Sequence, residues 1–141
     1  MVQTESMEDI VDLARHPIAD VESAEYLAHA VKGRRQYIQN GFCILPNFVN
    51  PTALLRLVEE ANAVENQAYF CKSAHNVYLT DPDHGAAADD LGCLEQKTFV
   101  GSVAYDRIGD SSTLKRLFLS ESLRHFVAAI VGKSEIYRSA D

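Results

Sequence analysis

The sequence predicts one α+β domain built from four or five helices and three or four short strands. Its 141 residues are the length of a single domain. Hydrophobic residues make up 47% of the chain and charged residues 23%, which is typical of a globular protein with its own core. Apolar residues recur at helical spacing in several segments, and brief apolar runs too short for helices separate them.

Two helices are predicted in the first forty residues. The first covers residues 6–15 and ends before Pro17. The second covers residues 23–39, where Ser23 is a good N-cap and Gly41 supplies a left-handed stop. We therefore expect the chain to begin with a helical region.

A short strand and a third helix follow. Residues 42–45 are consecutively apolar and have strand character. Asn50 and Pro51 then pair a capping residue with a proline at the first helical position. The predicted helix runs to about Val64.

The middle of the chain differs in composition. Residues 69–80 mix aromatic and small polar side chains, and residues 81–90 have the Pro, Gly and Asp content of a loop. Residues 99–105 resemble a strand that contains a glycine. This segment therefore predicts strand and loop rather than helix.

Two short helices and a last strand complete the prediction. The helices cover residues 113–119 and 121–131, with Gly132 as a stop, and residues 135–141 read as a strand. These few, scattered strands cannot close a sheet. We therefore expect either a dimer or the front part of a longer chain.

Charge and cysteine content exclude several classes of function. Thirteen Lys and Arg against twenty Asp and Glu give a net charge of −7, which argues against nucleic acid or an anionic membrane as a partner. No apolar run has the length of a membrane span, and no signal peptide is visible. The three cysteines, without a CxxC pair, fit reduced thiols, so we expect a cytoplasmic protein.

The histidines form no local metal motif. None of the five is part of HxH, HxD, HxE or HExxH. We expect His16 to suit the end of the first helix as a cation, and His29 and His125 to lie at the surface or near helix ends. His84 belongs to an acidic loop and is expected to be solvated.

His75 lies in a dense polar cluster, residues 73–78, between expected core elements. Two interpretations stay open. The cluster is either a loop whose side chains satisfy its own backbone, or a pocket wall that hydrogen-bonds a polar ligand. The chain contains no GxGxxG, P-loop or GxSxG motif that would indicate another site.

Residues 41–49 read Gly-Phe-Cys-Ile-Leu-Pro-Asn-Phe-Val and precede the helix start at Asn50 and Pro51. This block resembles the N-terminal entry of phytanoyl-CoA-dioxygenase-like oxygenases, which use iron(II) and 2-oxoglutarate. Residues 75–79, 101–106, 123–132 and 137–141 are similar to a narrower group, the radical halogenases and hydroxylases of free amino acids. The resemblance covers about residues 35–141.

The resemblance implies a fold and an activity. The fold would be the N-terminal part of a double-stranded β-helix (jelly-roll), with helices packed on an incomplete antiparallel sheet. Residues 1–40 would form an N-terminal helical region and residues 41–141 the front of the oxygenase domain. The full-length protein would use Fe(II) and 2-oxoglutarate to hydroxylate or halogenate a small polar substrate such as an amino acid.

The chain departs from that family in its metal ligands. The family binds iron through His-x-Asp or His-x-Gly and a distant His, and the sequence contains neither pair. In the family these motifs would follow the predicted last strand. We therefore expect this chain alone to lack the iron ligands and to be inactive, with no catalytic residue of its own.

The resemblance places five substrate-binding candidates in its matching blocks. They are His75, Asn76, Tyr78, Arg138 and Asp141, whose side chains could bind the charged groups of an amino acid. For Arg138 a solvent-facing strand position is an equal alternative.

Two other functions remain open at this stage. The chain could be a non-catalytic α+β module that binds a ligand or forms a homodimer by completing its sheet. It could also be a small unrelated enzyme that uses His75 as a base.

Overall fold

The computed structural model describes residues 7–80, 85, 87 and 89–139. Two strands within these residues form one antiparallel sheet, β1 (Tyr69–His75) and β2 (Gln96–Ser102). The described residues also form four α-helices, namely α1 (Ala24–Asn40), α2 (Pro51–Val64), α3 (Thr113–Phe118) and α4 (Glu121–Val131). Short 3₁₀ turns lie at Met7–Asp9, Glu65–Gln67 and Tyr105–Arg107. The α+β class is therefore confirmed.

The chain divides into two compact units. The helical unit comprises Met1–Ala63 and Ile108–Asp141, and the sheet unit comprises Val64–Arg107. The division expected at residue 40 stays a prediction.

The core of the helical unit forms where α1 packs against α4. Phe126 of α4 is completely buried and contacts the ring of Tyr26 edge-on, with centroids 5.8 Å apart. Gly33 of α1 packs closely against Ile130 of α4. A Cβ at Gly33 would lie only 3.0 Å from the Ile130 side chain, which is closer than ordinary van der Waals contact. The other core residues are Ile10, Val11, Ile18, Ala30 and Ala53. Close packing between the two helices thus depends on a residue without a side chain.

The helix ends follow the predicted capping residues. The Ser23 hydroxyl accepts a hydrogen bond from the Tyr26 amide at 3.1 Å, and Gly41 ends α1 with φ 78°. The Asn50 side chain accepts from the Ala53 amide at 2.8 Å at the start of α2. These bonds satisfy backbone groups that a helix terminus leaves unpaired.

The first predicted helix is wrong beyond its first turn. Only Met7–Asp9 is helical, as a 3₁₀ turn, and Val11 instead forms an antiparallel bridge with Val49. The Asp12 amide donates to the Phe48 carbonyl at 3.0 Å, and the Asn50 amide donates to Ile10 at 2.9 Å. Contacts with residues 48–50, which are distant in sequence, outweigh the helix preference that the apolar spacing of this segment indicates. Ser6, the first residue of the predicted helix, lies outside the described residues.

Two predicted strands are absent from the described residues. Residues 42–45 have no ladder, although Cys43 and Leu45 pack against the core and Phe42 and Ile44 are exposed. Residues 135–139 are irregular, and the Ile136 carbonyl accepts from the Arg124 guanidinium of α4 at 3.0 Å. A strand also needs a partner, which the sequence pattern alone does not reveal. Residues 140 and 141 lie outside the described part.

The sheet unit exposes apolar side chains on its two strands. Phe70 stacks on Phe99 with centroids 5.6 Å apart, and Gly101 faces Phe70 across the sheet. Tyr69 keeps 74% of its surface exposed and Phe99 keeps 70%. The alternation of a half-buried strand is therefore missing from both strands. No helix among the described residues has the length and apolarity to cross a membrane.

Candidate functional site

Asn76 organises the loop after β1. Its side chain is 2% exposed, and its Oδ1 accepts hydrogen bonds from the amides of Tyr78 at 3.0 Å and Thr80 at 3.1 Å. Its Nδ2 donates to the Gly92 carbonyl at 2.9 Å and to the Thr80 hydroxyl at 3.1 Å. This amide is therefore engaged by the loop itself, as expected for a buried polar group.

His75 and Asn76 line a small cavity in the sheet unit. The cavity has a volume of about 240 Å³, and Val77, Leu79 and Gln96 also line it. His75 is half-buried at the end of β1, opposite Gln96. Tyr78 is exposed and does not line this cavity. The first three predicted residues thus lie at the end of β1 and in the loop after it, and their substrate-binding role stays a prediction.

Arg138 lies in the helical unit and is engaged by α4. Its Nη2 donates to the Leu119 carbonyl at 2.7 Å and pairs with the Glu121 carboxylate. Hydrogen bonds from Arg124, and then from Arg138, lower the pKa of Glu121. Arg138 is thus neither on a strand nor free toward solvent. Asp141, the fifth predicted residue, lies outside the described residues.

A pair of histidines that the sequence did not connect lies in the helical unit. The Nδ1 of His16 is 3.0 Å from Nε2 of His29, and the Nε2 of His16 is 3.0 Å from the Pro46 carbonyl. The carbonyl is an obligatory acceptor, so Nε2 of His16 carries a proton. In the neutral pair, His16 therefore accepts through Nδ1 and His29 donates through Nε2. The hydrogen bonds thus fix the tautomer of both rings.

His16 and His29 do not have the surroundings that the sequence suggested. His16 is 3% exposed and lies in no helix, so the expected role at a helix end is wrong. His29 is half-buried and stacks on Phe126, with centroids 5.2 Å apart and planes 8° from parallel. Partial burial, and then the charges of His16 and Lys32, lower the pKa of His29. His29 is therefore uncharged more readily than a solvated histidine.

Both histidines line one cavity of the helical unit, which we call the histidine cavity. Its volume is about 550 Å³. Its charged lining residues are Arg15 and Lys32, and none of the described residues that line it is acidic. The amides of Gln36 and Asn40 add polar groups. This cavity is therefore basic in a chain of net charge −7.

One signal in the sequence could have revealed part of this cavity. His29, Lys32, Gln36 and Asn40 recur at intervals of three and four along α1, so they share a helix face. His16 is thirteen residues before His29, and no spacing rule connects them. Only the folded chain brings the pair together.

The described residues do not fit the iron that the family resemblance implies. They contain no group of three His, Cys, Asp or Glu side chains that could hold a metal ion. Iron(II) enzymes of this type need two histidines and a carboxylate, or their equivalent, on one face. Any iron would therefore need ligands from outside the described residues.

No family model, no curated protein and no solved structure matches the chain.

Proposed function

We propose that this chain forms the N-terminal part of an iron(II)/2-oxoglutarate oxygenase domain that hydroxylates or halogenates a small polar molecule such as a free amino acid. In this proposal the chain supplies framework and substrate-pocket residues, and the metal ligands lie outside the described residues. The sequence blocks at residues 41–51 and 75–79 motivate the family.

The observation that carries the proposal is that the β1–β2 sheet has two strands and exposes its aromatic side chains. A two-stranded sheet is marginally stable in water, and a stable one needs further strands or a covering helix. Here Phe70 and Phe99 stack together yet remain mostly exposed, as do Tyr69 and Val100. Aromatic surface of this size is suited to burial inside a larger sheet, as a jelly-roll provides.

The entry block supports the same proposal. Gly41 turns the chain in the left-handed conformation, and Cys43 and Leu45 face the core while Phe42 and Ile44 do not. Side chains that point alternately toward and away from the core are typical of a β-strand, here one without a neighbouring strand among the described residues. The amphipathic helix α2 then begins at Pro51. This order of glycine, apolar segment and helix is the one that the resemblance implies, and it supports the proposal.

The loop after β1 supports a polar substrate. Asn76 holds the loop through the Gly92 carbonyl, and His75 lies beside the cavity. In this proposal His75 and Tyr78 contact substrate and Asn76 positions them. A small amino acid carries both donors and acceptors that such groups could bind.

The test uses the protein as its host produces it, purified through a tag at its own gene. We expect it to bind 2-oxoglutarate only when Fe(II) is present, and to convert 2-oxoglutarate to succinate with one or more amino acids of a panel. The recombinant 141-residue chain is the matched control and should do neither. Absence of Fe(II)-dependent 2-oxoglutarate binding by the native protein would overturn the proposal.

A second function is favoured by the same exposed sheet. If the apolar strands of one copy cover those of another, the chain is a non-catalytic dimerisation module. Sedimentation of the recombinant chain over a range of concentrations separates the two proposals. A tight dimer whose formation is lost in Phe99→Lys would favour the module, and a monomer would favour the oxygenase.

A further inference from the structure

The basic character of the histidine cavity is opposite to that of the whole chain. Acidic residues outnumber Lys and Arg by twenty to thirteen, yet the charged residues that line this cavity are Arg15 and Lys32. Asp12, which does not line the cavity, pairs with the Arg15 guanidinium at 3.7 Å between Oδ2 and Nε, and its Oδ1 accepts the Arg15 amide at 3.1 Å. A concave site of one charge sign concentrates ligands of the opposite sign.

The size and apolar wall of the cavity restrict the ligand further. About 550 Å³ lies within the range of sites for small organic molecules and far exceeds the volume of a simple inorganic ion. Phe42, Ile44 and Leu45 line it together with the polar groups, and Phe42 and Ile44 are exposed. Exposed apolar side chains beside a basic group suit a ligand that has an apolar body and an anionic head.

We infer that the histidine cavity binds a small organic anion with an apolar part, and that His29 takes up a proton when the anion binds. The anionic head interacts with Lys32 and Arg15, and the apolar part contacts Phe42 and Ile44. The inference does not rest on the proposed oxygenase function, because binding at this site needs no metal.

The hydrogen bonds of the histidine pair explain the coupling to a proton. His16 is held by the Pro46 carbonyl through Nε2, so its Nδ1 must serve as the acceptor for His29. His29 can therefore gain a proton at its remaining nitrogen without breaking the pair.

The charged groups around His29 determine whether its pKa rises or falls when a ligand binds. The titratable or charged groups near it are His16, Lys32 and, in the cavity lining, Arg15 and Cys43, while α4 presents the uncharged ring of Phe126. In the free protein, burial and then the charges of His16 and Lys32 lower the pKa of His29, which favours its uncharged form. An anion in the cavity opposes these effects, so the pKa of His29 rises on binding and affinity falls as pH rises through that window.

Calorimetric titration of the chain with octanoate tests the site. Acetate, which lacks the apolar part, and octanol, which lacks the charge, are the ligand controls. We expect Lys32→Gln to weaken octanoate binding by about tenfold, the loss of one charged hydrogen-bond partner. Arg35→Gln removes the same charge from an exposed position of α1 outside the cavity lining and should have little effect.

Proton coupling is measured in the same experiment. Titration in buffers of different ionisation enthalpy should show proton uptake by the wild type, and tighter binding at about pH 6 than at about pH 8. His29→Asn should abolish the uptake, and Lys32→Gln should retain it with weaker binding. Absence of octanoate binding, octanol binding as tight as octanoate, or equal losses in Lys32→Gln and Arg35→Gln would each overturn the inference. Fe(II) and 2-oxoglutarate are absent throughout, so failure here leaves the oxygenase proposal untouched.

Discussion

At the scale of single residues, polar side chains hold the irregular parts of this protein together. Glu60 of α2 accepts hydrogen bonds from the Ser112 hydroxyl at 2.7 Å and the Thr113 amide at 2.9 Å. Asn76 does the same for the loop after β1. In both places one side chain satisfies backbone groups that no regular element pairs.

Glu60→Gln should reduce the free energy of unfolding by about 1 kcal/mol at pH 7. Burial opposes ionisation of Glu60, but hydrogen bonds from Thr113 and Ser112 outweigh it and lower the pKa of this carboxyl. A lowered pKa stabilises the fold above the unfolded pKa, and this contribution is lost as pH falls through the folded pKa. Urea unfolding at pH 7 and in acid should therefore show a smaller difference between variant and wild type in acid. The exposed neighbour Glu59 supplies the control Glu59→Gln, and equal effects of the two variants would contradict the account.

Asn76→Asp should destabilise the sheet unit by about 2 kcal/mol. The substitution replaces the donor to the Gly92 carbonyl by a buried negative charge. Hydrogen exchange of the amides of Tyr78 and Thr80 measures the effect locally. Asn66→Asp changes an exposed residue of the same unit and should leave those amides as they were. Unchanged exchange in Asn76→Asp would show that the amide does not hold the loop.

At the scale of elements, capping residues were the most reliable signals in the sequence. Ser23 accepts a hydrogen bond at the start of α1, as predicted, and Ser112 and Ser120 do the same at the starts of α3 and α4. Gly41 and Gly132 end α1 and α4 with φ values of 78° and 73°. Such signals act within one turn of helix, so the local sequence contains all that they need.

Gly41→Ala should destabilise the helical unit by about 1 kcal/mol. A Cβ at this position meets no other atom within 4 Å, so the cost comes from the left-handed backbone alone. Gly109 also has open space around a new Cβ but does not have a positive φ, so Gly109→Ala is the matched control. Thermal unfolding should show a lower midpoint for Gly41→Ala only. Equal midpoints for the two variants would contradict the argument from φ.

Strands and the histidine pair could not be predicted so well, because both depend on distant partners. Residues 42–45 have the composition of a strand but no neighbour to form a ladder with among the described residues. Val11 was assigned to a helix by its periodicity and pairs instead with Val49. His16 and His29 are thirteen residues apart and meet only in the folded chain. Nothing in one local window contains that information.

At the scale of the whole molecule, the two units differ in how far they bury their apolar side chains. The helical unit buries Ile10, Ile18 and Phe126 around one core. The sheet unit leaves Tyr69, Phe70 and Phe99 mostly exposed. Exposed aromatic side chains that stack on one another indicate a surface suited to burial in a larger assembly, which is the physical basis of the proposed oxygenase domain.

The intact mass of the protein isolated from its host tests that proposal most directly. The account predicts a mass well above 15.6 kDa, with added sequence that contains a His-x-Asp or His-x-Gly pair. Carboxylate in that pair would indicate hydroxylation, and glycine would indicate halogenation. A native product of 15.6 kDa would contradict the oxygenase proposal, since the iron ligands would then have no source.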